Sequence, residues 1–445
     1  MNEKLSRLVD FAIQQSKNPP CLVDLGGTIC SLSRSGFSVR GLNRAQLQLG
    51  DKVVIDCEDD RLAGEIIQLD EARALIKPYD ETMIPKLGAG VFAQGALQLA
   101  PDVSWRGRVL NAQGVAIDGG AMLCQGKNFL PIECQAMPAL QRGRIGDPLR
   151  SGVAVIDIFT PLVFGQRMGI FAGSGVGKST LLAMMARADQ FDTVVLALTG
   201  ERGREVRDML EETLGSVRDK VVAVIATGDE SPMMRRLAPL TATTIAEYFA
   251  SRGDQVLLLV DSVTRYALAA REVAIASGEP PVARGFPPSV FSSLPRLLER
   301  AGPAREGCGS ITGLYAVLVD GDDHNDPVAD SIRGTLDGHI VLDRAIAAQG
   351  RFPAVDIETS LSRLATACWT SEQRKLVQNL KEMVSRYEET RDLRAMGAYQ
   401  RGTDLLLDHA IQLVPQLYNA MQQHPNDPIH PDPYAALAQV LKLQS

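Results

Sequence analysis

Hydrophobic and polar positions follow several distinct rhythms along the chain. In the first stretch Leu5, Leu8, Val9, Ala12 and Ile13 recur at i, i+3, i+4, i+7 and i+8, with charges on the other face. That spacing predicts an amphipathic helix within residues 1–18. Pro19-Pro20 detaches it from the chain beyond residue 20, so its apolar stripe either packs on its own domain or docks a partner. Residues 19–90 change to short β-rich runs at 21–24, 37–40, 52–56 and 74–77, separated by Gly, Asp and Ser turns. Regular spacing of this kind predicts a small β-barrel or sandwich. From 91 to 367, continuous apolar runs at 193–198, 221–226, 256–260 and 315–319 have amphipathic segments between several of them. The expected fold is α/β, a mostly parallel sheet covered on both faces. Residues 368–445 read as helical. Thr370-Ser-Glu-Gln373 has capping-box form, followed by Leu376, Leu380, Met383, Val384 and Tyr387 at helical spacing. A second helix is expected through 405–423 and a short last one over 435–443.

Composition narrows the classes. A chain of 445 residues points to two or three domains, and 45% hydrophobic residues suffice for a large core. The 46 Lys and Arg against 53 Asp and Glu give a net charge of −7, which disfavours a globally basic nucleic-acid binder. Seven scattered cysteines without a CxxC argue for reduced thiols rather than a disulfide framework or zinc ribbon. The five histidines form no HExxH. No apolar run approaches the ~18 residues of a membrane span, and residues 1–17 lack the apolar stretch of a signal peptide. A cytosolic protein without a transmembrane span is the expectation.

The strongest motif is Ala172-Gly-Ser-Gly-Val-Gly-Lys-Ser179, set between an apolar segment and a helix-forming run that starts at Thr180. Strand, glycine-rich loop and helix in this order form a phosphate-binding loop, here with Ala in the first position instead of Gly. Gly173, Gly175 and Gly177 let backbone N–H groups of Ser174, Val176 and their neighbours converge on phosphates, and the helix N-terminus adds positive potential. Lys178 is placed to reach the β- and γ-phosphates, and the Ser179 hydroxyl to ligate Mg²⁺. The apolar run ending in Asp261, 83 residues after Lys178, supplies an acid at the edge of a parallel strand, suited to holding Mg²⁺ directly or through water. Between them lies Thr199-Gly-Glu-Arg-Gly-Arg-Glu205. Glu201 is the candidate to polarise an attacking water; the structural alternative is a salt-bridge region in which its neighbours Arg202 and Arg204 pair with acids.

These motifs, together with Asp261-Ser-Val-Thr-Arg-Tyr266, Gly285-Phe-Pro-Pro-Ser-Val-Phe291, Gly321-Asp-Asp323, Asp337-Gly-His-Ile-Val-Leu342 and Tyr399-Gln-Arg-Gly402, resemble the export ATPases of type III secretion. Those are relatives of the rotary ATP synthase catalytic subunits. The resemblance is dense over roughly 90–410, and its phosphate loop and Tyr-x-x-Gly run lean toward the flagellar member. It implies a RecA-like P-loop NTPase core between an N-terminal β-barrel and a C-terminal helical domain. It also implies catalytic Glu201, Arg202 and Arg265 near the γ-phosphate, an adenine-packing role for Phe352, and an Arg363 supplied across a subunit interface. Phe352 stands where Tyr is often found, keeping the π face without the hydroxyl. The run Leu364-Ala-Thr-Ala-Cys-Trp369 departs from the family's Val-Met-Pro-like continuation.

The resulting reading is a homohexameric ATPase that takes ATP and Mg²⁺ and drives flagellar protein export. The partners implied by the resemblance are a regulatory stator-like subunit at the first helix, export gate and stalk proteins, and chaperone–cargo complexes at the inner membrane. An injectisome ATPase differs only in the apparatus served. A rotary ATP synthase subunit is disfavoured because the 399–404 region lacks that subunit's acidic loop. A ring RNA translocase of the Rho kind would need stacking aromatics in the first domain, where only Phe37 and Tyr79 occur between 21 and 90.

Overall fold

The computed structural model describes residues 26–42, 47–57, 60–319 and 326–442. The expected first helix and the Gly321-Asp-Asp323 motif lie outside the described residues. The chain divides into two compact units, meeting in sequence at Leu97 and Gln98.

The first unit is a closed antiparallel barrel. Its strands are β1 (Gly27–Ser33), β2 (Gly36–Arg40), β3 (Asp51–Cys57), β4 (Asp60–Leu69), β5 (Ala74–Pro78) and β6 (Gly90–Ala96), ordered β1-β2-β5-β4-β3-β6 and closed by β1 on β6. Inward positions Ile29, Phe37, Val39, Val53, Ile55, Leu62, Ile66, Ile76 and Val91 fill the interior. The β-rich runs at 37–40 and 52–56 become strands whose burial alternates along β2 and β3 as the barrel's inside–outside period. The boundary placed at residue 90 falls at the start of the closing strand. Without β6 both β1 and β3 would be left with an open edge, so the unit runs on to Leu97.

The second unit is built on a sheet of β7 (Val109–Asn111), β8 (Arg167–Ala172), β9 (Thr193–Thr199), β10 (Val221–Ala226), β11 (Gln255–Asp261), β12 (Ser310–Leu318), β13 (Gly338–Leu342) and β14 (Leu361–Ser362). The order is β14-β13-β8-β12-β11-β9-β10-β7, parallel except for the edge strand β14, and the two-residue strand Gly302–Pro303 pairs antiparallel with the start of β12 off this path. All seven residues of β9 and all six of β10 are buried, as strands covered on both faces must be. Helix α1 (Lys178–Ala186) buries every residue from Leu181 to Ala186. Helices α2 (Pro232–Ser251) and α3 (Val263–Ala276) are capped by Ser231 and Ser262, whose hydroxyls accept from Met234 N at 3.2 Å and Arg265 N at 3.4 Å.

Helices α4 (Ser371–Glu389), α5 (Leu405–Ala420) and α6 (Pro433–Lys442) belong to this same compact unit. The capping box at Thr370 forms: Gln373 N donates to Thr370 Oγ1 at 3.2 Å and Thr370 N to Gln373 Oε1 at 2.9 Å. The buried face of α4 is Val377, Leu380 and Val384, whereas Leu376 is exposed. Leu380 and Val384, with the half-buried Met383 and Tyr387, form the expected face, and only at its start does Val377 take the buried place instead of the exposed Leu376. Trp369 Nε1 and Tyr434 Oη both donate to Ile158 O, at 3.1 and 3.3 Å, tying the helical layer to the α/β layer. No helix among the described residues is long and apolar enough to cross a membrane.

Candidate active site at the carboxyl ends of the strands

Each candidate residue of the phosphate site follows directly from the end of a parallel strand. Strand β8 ends at Ala172 and the loop Gly173–Gly177 leads into α1. Gly175 and Gly177 have φ of +78° and +89°, which side chains with a Cβ rarely adopt. A Cβ on Gly177 would also sit 3.5 Å from the Phe352 ring. Val176 is buried under the loop, while Ser174, Ser179 and Thr180 face solvent beside the first turn of α1. The orphan N–H groups of that turn and its dipole make an anion site.

Strand β11 delivers Asp261, 2% exposed, and β9 delivers Glu201, 8% exposed, through Thr199 and Gly200. The Lys178 ammonium donates to Asp261 Oδ1 and lies 3.7 Å from Glu201 Oε1. Arg265, on the first turn of α3, brings Nε to 3.3 Å from the same Glu201 oxygen. That contact is an ion pair without hydrogen-bond alignment, for neither atom has a hydrogen-bond partner. Gly200 makes room for it: φ is +69°, and a Cβ there would lie 2.7 Å from Arg265 Cδ. Burial pushes the Glu201 carboxyl above the usual carboxylate range; Lys178 opposes this, the Asp261 charge adds to it, and Arg265 opposes it. A buried carboxyl held above its ordinary value next to a phosphate site is suited to exchange protons with water.

Four of the expected site residues therefore meet: Lys178, Glu201, Asp261 and Arg265. The structural pairing considered for Arg202 and Arg204 does form, but with acids other than Glu201. Arg202 is 85% exposed and pairs at 3.6 Å with Glu205, and Arg204 pairs with Asp208 at 3.7 Å. Phe352 lies against the loop through Gly177, with its ring 43% exposed. Arg363 is elsewhere. Its N–H donates to Asp337 O at 2.9 Å, and Asp337 N donates to Arg167 O at 2.9 Å. It is therefore level with the start of β8, not with its phosphate-loop end. The exposed Arg363 charge, after burial and Arg333, helps to hold His339 below the ordinary histidine value.

Two features were not foreseen. Thr199 Oγ1 is buried without a hydrogen-bond partner where β9 meets Gly200. Gln423, from the turn after α5, hydrogen-bonds to Phe352. Neither carries a sequence signal, because a Thr at a strand end and a Gln after a helix are ordinary.

Among the described residues no group of three or more His, Cys, Asp or Glu side chains could hold a metal ion. The oxygens on offer are hard donors, the Ser179 hydroxyl and the Asp261 carboxylate, with the unsatisfied Thr199 hydroxyl one strand over. Such a sparse oxygen set fits Mg²⁺, which keeps waters and binds with substrate phosphates rather than in an all-protein cage.

A P-loop nucleotide-binding domain with an acid from one strand and a second acid from the next is the class that fold and site define. The model of the ATP synthase alpha/beta family, nucleotide-binding domain, matches residues 152–362, and that of the T3SS EscN ATPase C-terminal domain matches residues 369–438. The flagellum-specific ATP synthase of Agrobacterium fabrum is 50% identical over 442 residues, covering 99% of this chain and 93% of that protein. The structure of the assembled ATPase EscN from the enteropathogenic E. coli type III secretion system superposes with a TM-score of 0.86 at 38% identity, over 94% of this chain and all of that one. A second structure, EscN in complex with its central stalk EscO, gives 0.84 at 38% identity over the same shares. The chain belongs to the family of flagellum-specific ATP synthases and type III secretion ATPases, and it is an ATP-using enzyme.

Proposed function

We propose that this protein hydrolyses MgATP at the interfaces of a homohexameric ring and energises export through the flagellar type III apparatus. The observation that carries the ring is the position of Arg363. The six residues of Arg167–Ala172 separate its level on the sheet from the phosphate loop, about 16 Å along a strand. That separation puts its guanidinium out of line with its own nucleotide and leaves it exposed for a neighbour's. The flagellar reading is supported by 50% identity to a flagellum-specific enzyme against 38% to the injectisome ATPase EscN. A central stalk partner is proposed on the strength of the EscN–EscO complex. A stator-like subunit at the first helix, the export gate, chaperone–cargo complexes and peripheral placement at the inner membrane complete the proposal.

In this reading the loop 173–177 and the first turn of α1, through Thr180, bind the phosphate chain, and Phe352 packs on the adenine. Lys178 leaves Asp261 and Glu201 to contact the β- and γ-phosphates. Ser179 and Asp261 would hold Mg²⁺, which when bound would neutralise charge on the phosphate oxygens. Glu201, relieved of its contact with Lys178, orients and polarises the water. Arg265 stays beside Glu201, and the neighbour's Arg363 neutralises charge in the transition state. Arg202 is assigned to the approach to the γ-phosphate across an assembled interface, since in the single chain it faces solvent.

The test is phosphate release by wild type and Arg363→Ala with mass measured at several concentrations. Specific activity should climb with assembly in the wild type and stay flat in the variant. Full turnover by a monomer would overturn the ring.

A further inference from the structure

The turn after α5 reaches the nucleotide site through the backbone of Gln423, whose side chain anchors that backbone to the start of the helix Ala154–Phe159. Gln423 is half-buried. Its Nε2 donates to Gly152 O at 2.8 Å, and its Oε1 accepts from Ala154 N at 3.0 Å. Its backbone N–H donates to Phe352 O at 2.9 Å. Ala154 opens the short helix Ala154–Phe159, whose N-cap Val153 has no side-chain oxygen to offer. The amide of Gln423, 269 residues later in the chain, supplies the acceptor that the helix start lacks.

The rest of the turn is braced on α1. Arg187 Nη1 donates to Pro425 O and, at 3.1 Å, to Asn426 Oδ1. His424 N donates to Asp427 Oδ2 at 2.7 Å, closing the turn on itself. Ile429 fills the space a Cβ on Gly152 would need, 2.8 Å away. Phe352 is less well held. Its ring is 43% exposed and rests on a glycine, so its direction depends on what fixes its backbone.

We infer that Gln423 is the positioning residue for the Phe352 platform. By joining the Phe352 carbonyl, the helix start at Ala154 and the turn after α5, it keeps the ring over Gly177 before nucleotide arrives. A preformed platform avoids the ordering cost that a loose ring would charge against binding. The inference rests on the reading of Phe352 as the surface for the base. It adds that the helical layer sets base affinity indirectly: the side-chain amide fixes the Gln423 backbone, and the backbone N–H, which every substitution at 423 but proline keeps, then fixes the Phe352 carbonyl.

The test compares full-length wild type, Gln423→Ala, Gln423→Glu and Phe352→Ala. Dissociation constants for ATP and for inorganic tripolyphosphate, which lacks the base, are measured by displacement of a fluorescent nucleotide. Gln423→Ala should weaken ATP by about five- to twentyfold and tripolyphosphate by less than about twofold. Gln423→Glu keeps the acceptor for Ala154 but loses the donor to Gly152, and should fall between, providing a second reading if the alanine variant folds poorly. Phe352→Ala should weaken ATP at least as much as Gln423→Ala. Equal loss for both ligands would mean general loosening and would overturn the inference. So would normal ATP binding by both Gln423 variants while Phe352→Ala is weak. If Phe352→Ala itself binds ATP normally, the reading of Phe352 fails, and the inference with it.

Discussion

At the carboxyl end of the central sheet, Lys178, Glu201, Asp261 and Arg265 are drawn together within one chain, three of them largely buried and paired among themselves. At the opposite end Arg363 is exposed and, among the described residues, hydrogen-bonds through its backbone N–H to Asp337. The first group can satisfy its charges internally because β8, β9 and β11 end side by side, so a Lys and two acids neutralise one another at low dielectric. A lone arginine has no such arrangement within the chain. In the proposed reading the difference is one of assembly: ground-state binding is built by one chain, and the charge for the transition state is supplied by its neighbour.

The largest test of that division is Arg363→Ala. An inserted arginine is worth about 10³ to 10⁵ in turnover, so phosphate release by the assembled variant should fall by that range. Binding of ATP, measured by fluorescence titration, should stay within about threefold. A large loss of binding with turnover otherwise intact would place Arg363 in ground-state binding instead and erase the contrast between the two ends.

Glu201→Gln comes next, with an expected loss of about 10² to 10⁴ in turnover and ATP binding retained. The two variants together probe the comparison more sharply than either does alone. In a random equal mixture, about a quarter of interfaces pair an intact Glu201 with an intact Arg363, so mixing two inactive proteins should restore measurable phosphate release. Failure to complement in mixed rings confirmed by mass would put both residues in the same chain's site.

A smaller effect concerns pH. Burial raises the Glu201 carboxyl, with Lys178 and Arg265 pulling it back. A raised value means the carboxylate is protonated sooner as pH falls, so the acid limb of the turnover profile should lie above the ordinary glutamate value of about 4.3. Arg265→Met removes a charge that favours the carboxylate and should move the limb to higher pH. A limb at the ordinary position, unmoved by Arg265→Met, would detach Glu201 from the titrating step.

The parts of this arrangement that could be read from the sequence are those set by local spacing. Gly173 to Ser179 specify their own turn and helix start, and the apolar runs 193–198 and 256–260 announce strands buried on both faces, so the places of Lys178 and Asp261 follow. The capping box at Thr370 was legible for the same reason. What could not be read depends on contacts distant in sequence: the burial of Val377 in place of Leu376 at the start of the α4 face, the closure of the barrel by β6 beyond residue 90, and the hold of the Gln423 backbone on Phe352. Family resemblance supplied candidate roles for Arg202 and Arg363, but the spacing around them is silent about a second chain.

Arg202 gives the smallest effect and the finest distinction. Its 85% exposed side chain pairs with Glu205 at 3.6 Å across three residues of a short helix, a contact that solvent screens to about 0.5 kcal/mol or less. Arg202→Ala should therefore leave the thermal unfolding of dilute protein almost unchanged. If Arg202 approaches the γ-phosphate only when a neighbour closes on this helix, the same variant should lose turnover in the assembled state, while an unassembled preparation shows no difference from wild type. Loss at both concentrations would bring Arg202 into the single-chain group with Lys178, and loss at neither would leave it a solvated surface charge.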